Sequence, residues 1–366
     1  MTGIIEQTVK KITNIDMTLM DKAQARLDNL TKPRGSLGRL EEIAKVIVGM
    51  TGEETPLLKN KVIFTFAADH GVAAEGVSAF PQAVTAQMVY NFLRGGAGIN
   101  VLAKHVGAQV VVVDLGVTEK ISAEGGKNEK FHEKKIAFGT KNMVKGPAMT
   151  KDEAIKSIEA GIGIFEEEFS AGGGSAFGGK GIDIIGTGEM GIANTTAASA
   201  ITAVITMQKV EDVTGRGTGI DDKGLVNKIR VIKEAINVNR PNPNDALDIL
   251  AKVGGFEIGG LAGVILAAAS HKVPVVIDGF ISGSAALIAY LVEPKTKDYM
   301  LAAHCSVEIG HKAVLKYLGL SPILDLNLRL GEGTGAALGM SIIEASVKIL
   351  NQMATFKDAG VSEKDK

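Results

Sequence analysis

The chain is poor in the residues that several large protein classes require. It has no tryptophan, and only 4% of its 366 residues are aromatic, which argues against a stacking surface for single-stranded nucleic acid. Lysine and arginine total 40 against 41 acidic residues, so a formal net charge of -1 leaves no surplus of cations to neutralise DNA or RNA phosphates. We therefore expect no nucleic-acid partner.

Cysteine and long apolar runs are also scarce. The single cysteine, Cys305, cannot form an internal disulfide, which is typical of a reducing cytosol. The N-terminal residues lack the apolar core of a secretory signal, and the longest apolar runs, 259–269 and 285–292, are shorter than the roughly 20 residues that span a bilayer. The sequence predicts a cytoplasmic protein with no membrane partner.

Glycine, in contrast, is abundant. The chain has 45 glycines in 366 residues but only 9 prolines, and it shows no collagen-like period. That is about 12% glycine, against about 7% in typical proteins. Because glycine lets the backbone turn tightly and approach a ligand closely, this excess indicates several loops of that kind.

Short β-branched runs alternate with segments of helical periodicity. The runs cover 62–68, 110–113, 182–185 and 273–277, and each is followed by an acid or a glycine. They are largely apolar, as parallel strands buried on both faces are. Their alternation with helices predicts an α/β fold with a parallel sheet flanked by helices. Because ligands bind at the carboxyl ends of such strands, the polar residues at the four exits are expected on one surface.

Both ends of the chain are predicted to be helical. The last helix, 335–353, is expected to pack on helices at 21–30 and 40–50. We therefore predict a small helical domain from 1–60 plus 335–356, a large α/β catalytic domain over 61–334 and a frayed tail over 357–366. Further helices are predicted at 83–93, 151–169, 195–207, 223–237 and 260–270, an exposed insertion at 119–135 and a flexible loop at 171–181.

Some motifs resemble ligand sites but lack the required context. Residues 174–181 approach a nucleotide P-loop, yet Gly181 replaces the hydroxyl residue and the motif precedes a strand. Residues 331–336 fit a dinucleotide fingerprint, but no second strand with an acid follows them. His304, Cys305 and His311 lack the spacing of a metal site. We expect no metal and no cofactor.

Two glycine-rich segments are candidates for binding an anion. In 186–196, an apolar strand leads into glycines, a carboxylate and the Asn/Thr start of a helix, whose free amides bind anions. The alternative is a well-capped turn. In Gly215–Thr218, glycine amides and an arginine, with Lys228 further along, suit a phosphate monoester. The alternative there is a plain connecting loop.

A third segment places a lone carboxylate, Glu332, between Gly331 and Gly333 before an apolar helix. Burial raises the pKa of a carboxyl group and makes it a better proton acceptor near neutral pH. The alternative is an acid that is simply favoured at a helix N-terminus by the helix dipole.

Several separated motifs resemble the nicotinate-nucleotide–dimethylbenzimidazole phosphoribosyltransferases of cobalamin lower-ligand assembly, and the match covers most of the chain. The resemblance implies a parallel, Rossmann-like α/β domain with a smaller helical domain from both chain ends, working as a homodimer. The motifs are LTKPRGSLGRLE at 30–41, ADHGV at 68–72, GPAM at 146–149, GEMGIANTT at 188–196, NPND at 242–245, KVGGF at 252–256, DGFIS at 278–282 and LRLGEGTGAAL at 328–338.

The resemblance also implies residue roles. Glu332 occupies the position of the general base, and Glu189 shares its pocket. The residues expected to bind nicotinate mononucleotide and its phosphate are Gly188, Gly191, Asn194, Thr195, Gly215, Arg216, Gly217, Thr218, Lys228, Asp278 and Gly279. Those expected around the incoming aromatic base are Ser78, Phe80, Pro81, Gln87, Met88, Met190 and Leu330.

The implied reaction transfers phosphoribose from nicotinate mononucleotide to 5,6-dimethylbenzimidazole, giving α-ribazole 5′-phosphate and nicotinate. It needs no metal, because the cationic pyridinium leaves without protonation and no diphosphate is lost. One departure concerns the acceptor: Met88 stands where a glutamine is expected, with Gln87 adjacent. A different benzimidazole, adenine or a phenolic acceptor is therefore an alternative. A non-catalytic nucleotide-binding or partner subunit is another, against which the presence of both Glu189 and Glu332 argues.

Overall fold

Six strands form one parallel sheet. In the computed structural model, which describes residues 3–122, 130–171 and 181–362, their spatial order is third, second, first, fourth, fifth, sixth. This is the strand order of the doubly wound Rossmann sheet. The strands are β1 (Lys61–Ala68), β2 (Ala108–Gly116), β3 (Lys130–Glu133), β4 (Ile184–Met190), β5 (Val275–Ile277) and β6 (Met300–Ala302).

Helices cover both faces of this sheet, which confirms the predicted α/β class. They are α1 (Gly3–Lys11), α2 (Met17–Asp28), α3 (Arg39–Thr51), α4 (Val84–Leu93), α5 (Gly98–Val106), α6 (Lys151–Ala171), α7 (Asn194–Thr206), α8 (Val210–Val213), α9 (Asp222–Asn239), α10 (Ala246–Val253), α11 (Phe256–Ser270), α12 (Phe280–Val292), α13 (Ile309–Leu318), α14 (Thr334–Gln352) and α15 (Phe356–Ala359). None of these helices is long and apolar enough to cross a membrane.

Strand β1 shows how the two faces are built. All eight of its residues are buried, and successive side chains point to opposite faces of the sheet. Phe66 lies against Gly260 of α11, whereas Ile63 lies beside Gly186, which itself packs against Ala336 of α14. The strand is therefore apolar throughout rather than alternating, because helices α11 and α14 cover its two sides.

Both chain ends contribute to a small apolar cluster. Leu27 of α2, Val48 of α3 and Leu350 of α14 are buried together there, apart from the main core. Ile5 of α1 and Met340 in the first half of α14 belong instead to the main core. The division into a helical domain of 1–60 plus 335–356 and a catalytic domain of 61–334 stays a prediction.

Three local expectations need correction. Strand β4 does not end at residue 185 but continues to Met190, because Gly186 and Gly188 let the α14 segment lie against it. Part of the expected exposed insertion at 119–135 is strand β3, where Lys130 and His132 bond to Glu168 of α6 at 2.6 and 2.9 Å.

The third correction concerns the expected frayed tail. Its first residues belong to helix α15, whose N-terminus is capped by Thr355: the Thr355 hydroxyl accepts a hydrogen bond from the Asp358 amide. The remainder of the 119–135 insertion at 123–129, the end of the tail at 363–366, and the loop and P-loop-like residues at 172–180 lie outside the described residues.

Candidate active site

The polar residues that end the central strands lie at the carboxyl edge of the sheet. Asp69 and His70 follow β1, Glu189 is the penultimate residue of β4, and Asp278 follows β5. Strands β1 and β4 are neighbours, and their outgoing connections leave toward opposite halves of the sheet. In doubly wound folds this switch point forms the ligand crevice.

The backbone of Glu332 packs against Gly188 of β4 at this edge of the sheet. Its carbonyl oxygen lies so close to Gly188 that any side chain there would clash with it, and it accepts a 3.0 Å hydrogen bond from the Thr65 hydroxyl. Its φ of 63° lies in the left-handed region that a non-glycine residue rarely adopts. The Ile99 amide donates to its carboxylate at 3.1 Å. Burial raises the pKa of Glu332, although the Ile99 bond opposes that shift.

Glu189 faces the same loop. A side chain on Gly331 would overlap the Glu189 carboxylate, so that carboxylate lies directly beside the backbone that precedes Glu332. The Asn194 amide donates to Glu189. Burial, followed by the nearby charges of Asp278 and Glu257, raises the pKa of Glu189 to about 8. This shift favours the protonated form of Glu189.

Asp278 holds the start of α14 in place. Its carboxylate accepts hydrogen bonds from the amides of Gly333 at 3.1 Å and Ala336 at 3.0 Å. Burial raises the pKa of Asp278 to about 7, although these backbone bonds and that of Gly335 act against the shift. Gly279 follows as the residue before α12, and its α-carbon faces the His304 ring.

Glu189, Asp278 and Glu332 thus form a buried acidic cluster whose members disfavour one another's ionisation. Glu332 raises the pKa of both Glu189 and Asp278. A cation placed among them would relieve this repulsion and restore the ionised forms. The cluster is chemically suited to a positively charged ring and, at Glu332, to accepting a proton.

A second subsite lies at the start of α7. The buried Lys228 ammonium donates a 2.7 Å hydrogen bond to the Thr195 hydroxyl, and both groups approach the α-carbon of Gly217. Burial lowers the pKa of Lys228 to about 8, and the nearby Glu308 carboxylate partly offsets that shift. A cationic amine beside glycine amides is a suitable site for a phosphate group.

Asn194 and Thr195 do not cap α7, contrary to the capped-turn alternative. The residue before the helix is Ala193, with a φ of 75° and no side-chain cap. Asn194 turns toward Glu189, and Thr195 turns toward Lys228. The two residues therefore link the acidic cluster to the Lys228 subsite.

Two arginines lie at the glycine loop formed by Gly215–Thr218. Arg216 bonds to Asp222 and donates to the Ile220 carbonyl at 2.9 Å, so its guanidinium is engaged within its own loop. Arg329 donates to the Gly217 carbonyl at 3.2 Å from the segment that leads to Glu332. Arg329 was not among the expected site residues.

The segment expected to meet the aromatic base is joined to the glycine loop. The hydroxyls of Ser78 and Thr218 are 3.2 Å apart, and the Ala79 amide donates to Thr218 at 2.9 Å. Met88 and Met190 are half-buried and pack against the main core. The other expected base-binding residues are exposed: Phe80, Pro81, Gln87 and Leu330.

Gly191 brings in residues that sequence reasoning missed. Its α-carbon packs against the Ala68 carbonyl and the His70 ring. The His70 imidazole bonds at 2.6 Å to Glu257, and both side chains are buried. A lone acid in the otherwise apolar first turns of α11 was a signal for Glu257. No comparable signal marked Glu308, whose carboxylate bonds to Gly217, far away in sequence.

A surface cavity of about 540 Å³ lies elsewhere, between residues 141–151 and α10. Its lining includes four lysines and Asp248, and it shares no residue with the acidic cluster or the Lys228 subsite. Within the described parts of the chain, no group of three or more histidine, cysteine or acidic side chains is arranged to hold a metal ion.

Comparison with known proteins shows the family to which this chain belongs. A family model described as phosphoribosyltransferase matches residues 12–361. Two proteins named nicotinate-nucleotide–dimethylbenzimidazole phosphoribosyltransferase, from Desulforudis audaxviator and Geobacter metallireducens, are 54% and 56% identical over 360 residues, covering 98% of each chain. The chain belongs to this family.

The solved structures agree with that assignment. The crystal structure of CobT from Thermus thermophilus is 41% identical to this phosphoribosyltransferase, with a TM-score of 0.88. It covers 95% of this chain, and this chain covers 100% of it. The resemblance drawn from the motifs and the predicted enzyme class are confirmed.

Proposed function

We propose that this phosphoribosyltransferase transfers the phosphoribosyl group of nicotinate mononucleotide to 5,6-dimethylbenzimidazole or a related lower-ligand base. The products are α-ribazole 5′-phosphate and nicotinate. The observation that carries the proposal is the distribution of charge at one sheet edge: a buried acidic cluster suited to a pyridinium ring lies beside the Lys228 subsite, which suits a 5′-phosphate. The side chains of Asn194 and Thr195 join the two.

In this proposal the bond between ribose C1′ and the pyridinium nitrogen breaks, and nicotinate leaves with the bonding electrons. The benzimidazole nitrogen attacks C1′ from the opposite face, which converts the β to the α configuration. Glu332 accepts the proton that the other ring nitrogen loses. Carboxylates of the acidic cluster stabilise the oxocarbenium-like sugar, and holding both rings in place supplies much of the rate.

The acceptor pocket is proposed to lie along α4. Thr85, on the buried face of this helix, accepts a 3.1 Å hydrogen bond from the Ile192 amide, which fixes α4 against the β4 exit. Met88 is one turn further on the same face, whereas Gln87 is exposed. We infer that the acceptor ring meets a thioether rather than an amide. On this inference, a different benzimidazole, adenine or a phenol remains an alternative acceptor to 5,6-dimethylbenzimidazole.

The decisive experiment incubates the purified chain with nicotinate mononucleotide and, in separate reactions, 5,6-dimethylbenzimidazole, benzimidazole, adenine and a phenol. Mass spectrometry then detects the ribosylated product and free nicotinate. We expect product with at least one benzimidazole. If nucleotide binds but no acceptor is ribosylated, the chain is a non-catalytic nucleotide-binding subunit and the proposal is wrong.

We further propose that the protein is a homodimer and that it works in the cytoplasm. The family resemblance supports the first, and the single cysteine supports the second. Light scattering coupled to size-exclusion chromatography tests the oligomeric state, with a mass of twice 38.2 kDa as the expected result. Cell fractionation tests the location.

A further inference from the structure

The Glu308 carboxylate lies inside the glycine loop that the proposed function assigns to the phosphate. One of its oxygens accepts a 2.9 Å hydrogen bond from the Gly217 amide. Its other oxygen lies so close to Gly215 that a side chain there would overlap it. Glu308 precedes α13 and reaches this loop from across 91 residues of sequence.

The same loop faces the Lys228 ammonium. An ideal Cβ on Gly217 would lie 3.1 Å from the Lys228 nitrogen and 2.7 Å from the Thr195 hydroxyl. The Glu308 charge acts on Lys228, since it opposes the lowering of the lysine pKa by burial. A phosphate held by the Gly217 amide and Lys228 would therefore come close to the Glu308 carboxylate.

The Glu308 carboxylate has only part of its hydrogen-bonding capacity satisfied by this loop. Glu308 is 7% exposed, and its second carboxylate oxygen is buried with no hydrogen-bond partner among the described residues. A buried carboxylate oxygen without a donor is costly. The arrangement satisfies the Gly217 amide without fully satisfying the Glu308 carboxylate.

We propose that Glu308 is an internal anion that competes with a phosphate monoester for the Gly217 amide, and that the phosphate binds by displacing the Glu308 carboxylate from that amide. The inference rests on the proposed function, because it takes this loop to be the phosphate site. Two anions would compete for one amide proton, and like charges held close together repel each other. Glu308 thereby sets the affinity for the phosphate end of the substrate.

The test is isothermal titration of the full-length protein and its Glu308→Gln variant with inorganic phosphate, nicotinate mononucleotide and nicotinate riboside. Glutamine keeps the shape and removes the charge. We expect inorganic phosphate and the mononucleotide to bind roughly tenfold tighter to the variant, because it removes one like charge from the site. Affinity for the riboside, which has no phosphate, is expected to stay the same.

The matched control is Glu234→Gln, which removes the same charge from an exposed pair with Arg230 on α9. An equal gain in the control, or a gain for the riboside as well, would overturn the proposal. If Glu308→Gln does not fold, as judged by circular dichroism, a crystal of the wild-type protein soaked in phosphate decides. There the Glu308 carboxylate must leave the Gly217 amide.

The outcomes separate the two proposals. Unchanged or weaker phosphate binding by a folded Glu308→Gln protein would refute the role of Glu308 while leaving the transfer reaction in place. A wild-type protein that binds neither phosphate nor nicotinate mononucleotide would refute both.

Discussion

The backbone carbonyl of Glu332 lies directly against the α-carbon of Gly188, and no other residue type fits there. The Gly333 amide is also only 2.8 Å from where a Cβ on Gly188 would stand. Strand β4 and the segment before α14 are therefore in backbone contact at the candidate active site. This contact places Glu332 at the sheet edge, where the Glu189 carboxylate lies beside the backbone of Gly331.

This contact predicts that Gly188→Ala displaces Glu332. A methyl group at residue 188 must push the 331–333 backbone away, and overpacking of a well-packed interior costs about 1–3 kcal/mol. We expect that loss in the free energy of unfolding, measured with urea, together with a large fall in turnover.

Gly163→Ala is the matched control for this variant. Gly163 lies in α6, and nothing stands within 4 Å of its Cβ position. Because alanine favours helix over glycine, the control should gain about 0.5–1 kcal/mol. Equal stability changes in the two variants would show that the backbone at residues 331–333 can move away from residue 188 at little cost in free energy.

A second prediction concerns Glu332→Gln. Glutamine keeps the shape but cannot take the proton from the acceptor ring, so turnover should fall by about 10²–10⁴, the usual contribution of a general base. The affinity for nicotinate mononucleotide, measured by calorimetry, should change far less. The control is Glu42→Gln, an exposed acid paired with Arg39 on α3. Turnover near the wild-type value would remove Glu332 from the role of base.

A third prediction is that binding of nicotinate mononucleotide releases protons near neutral pH. Burial raises the pKa of Glu189 to about 8, and a cationic ring beside it would lower that value and release its proton. Calorimetry in two buffers with different enthalpies of ionisation measures the release. The Glu189→Gln variant should release fewer protons at pH 7. The same release from both proteins would mean that the ring binds away from Glu189.

The fourth prediction concerns the pH dependence of stability. Burial alone would lower the pKa of His70, but the Glu257 carboxylate and then Asp69 outweigh it and raise the pKa above 6.5. Since the folded pKa lies above the unfolded one, the stabilisation is fully present below pH 6.5 and is lost as pH rises through the folded value. Thermal melts across this range should show the decline.

A double variant provides the comparison for this melt series. His70→Gln with Glu257→Gln removes the pair without leaving a buried charge, and its melting temperature should vary less over the same interval. His105→Gln, at an exposed position in α5, is the control and should keep the wild-type decline. A double variant with the full decline would show that other groups cause it.

Local patterns in the sequence predicted much of the fold. The apolar runs located β1, β2 and β5, since strands buried on both faces need no alternation and stand out as continuous runs. Strand β6 was missed because it is only three residues long. Strand β3 was missed because its exposed, charged residues carry no apolar pattern. Strand β4 was underestimated because glycine weakens a strand locally, while here glycines are required by the packing of α14.

The candidate site divides in the same way. Glu189 and Glu332 were predicted because glycines around a charge, or a helix start after a strand, are local signals, whereas Lys228 was predicted through the family resemblance. Glu308 escaped notice because it contacts Gly217 across a gap in sequence that no local pattern can bridge.

By itself, the sequence determined the α/β class, the absence of a membrane-spanning helix among the predicted segments, and the acids and glycines available for chemistry. These properties follow from periodicity and composition, which can be determined from the sequence alone. Only the tertiary structure decided that Glu332 contacts Gly188 and that Glu308 enters the glycine loop at 215–218. Both contacts depend on how distant segments pack, and packing is a property of the whole fold.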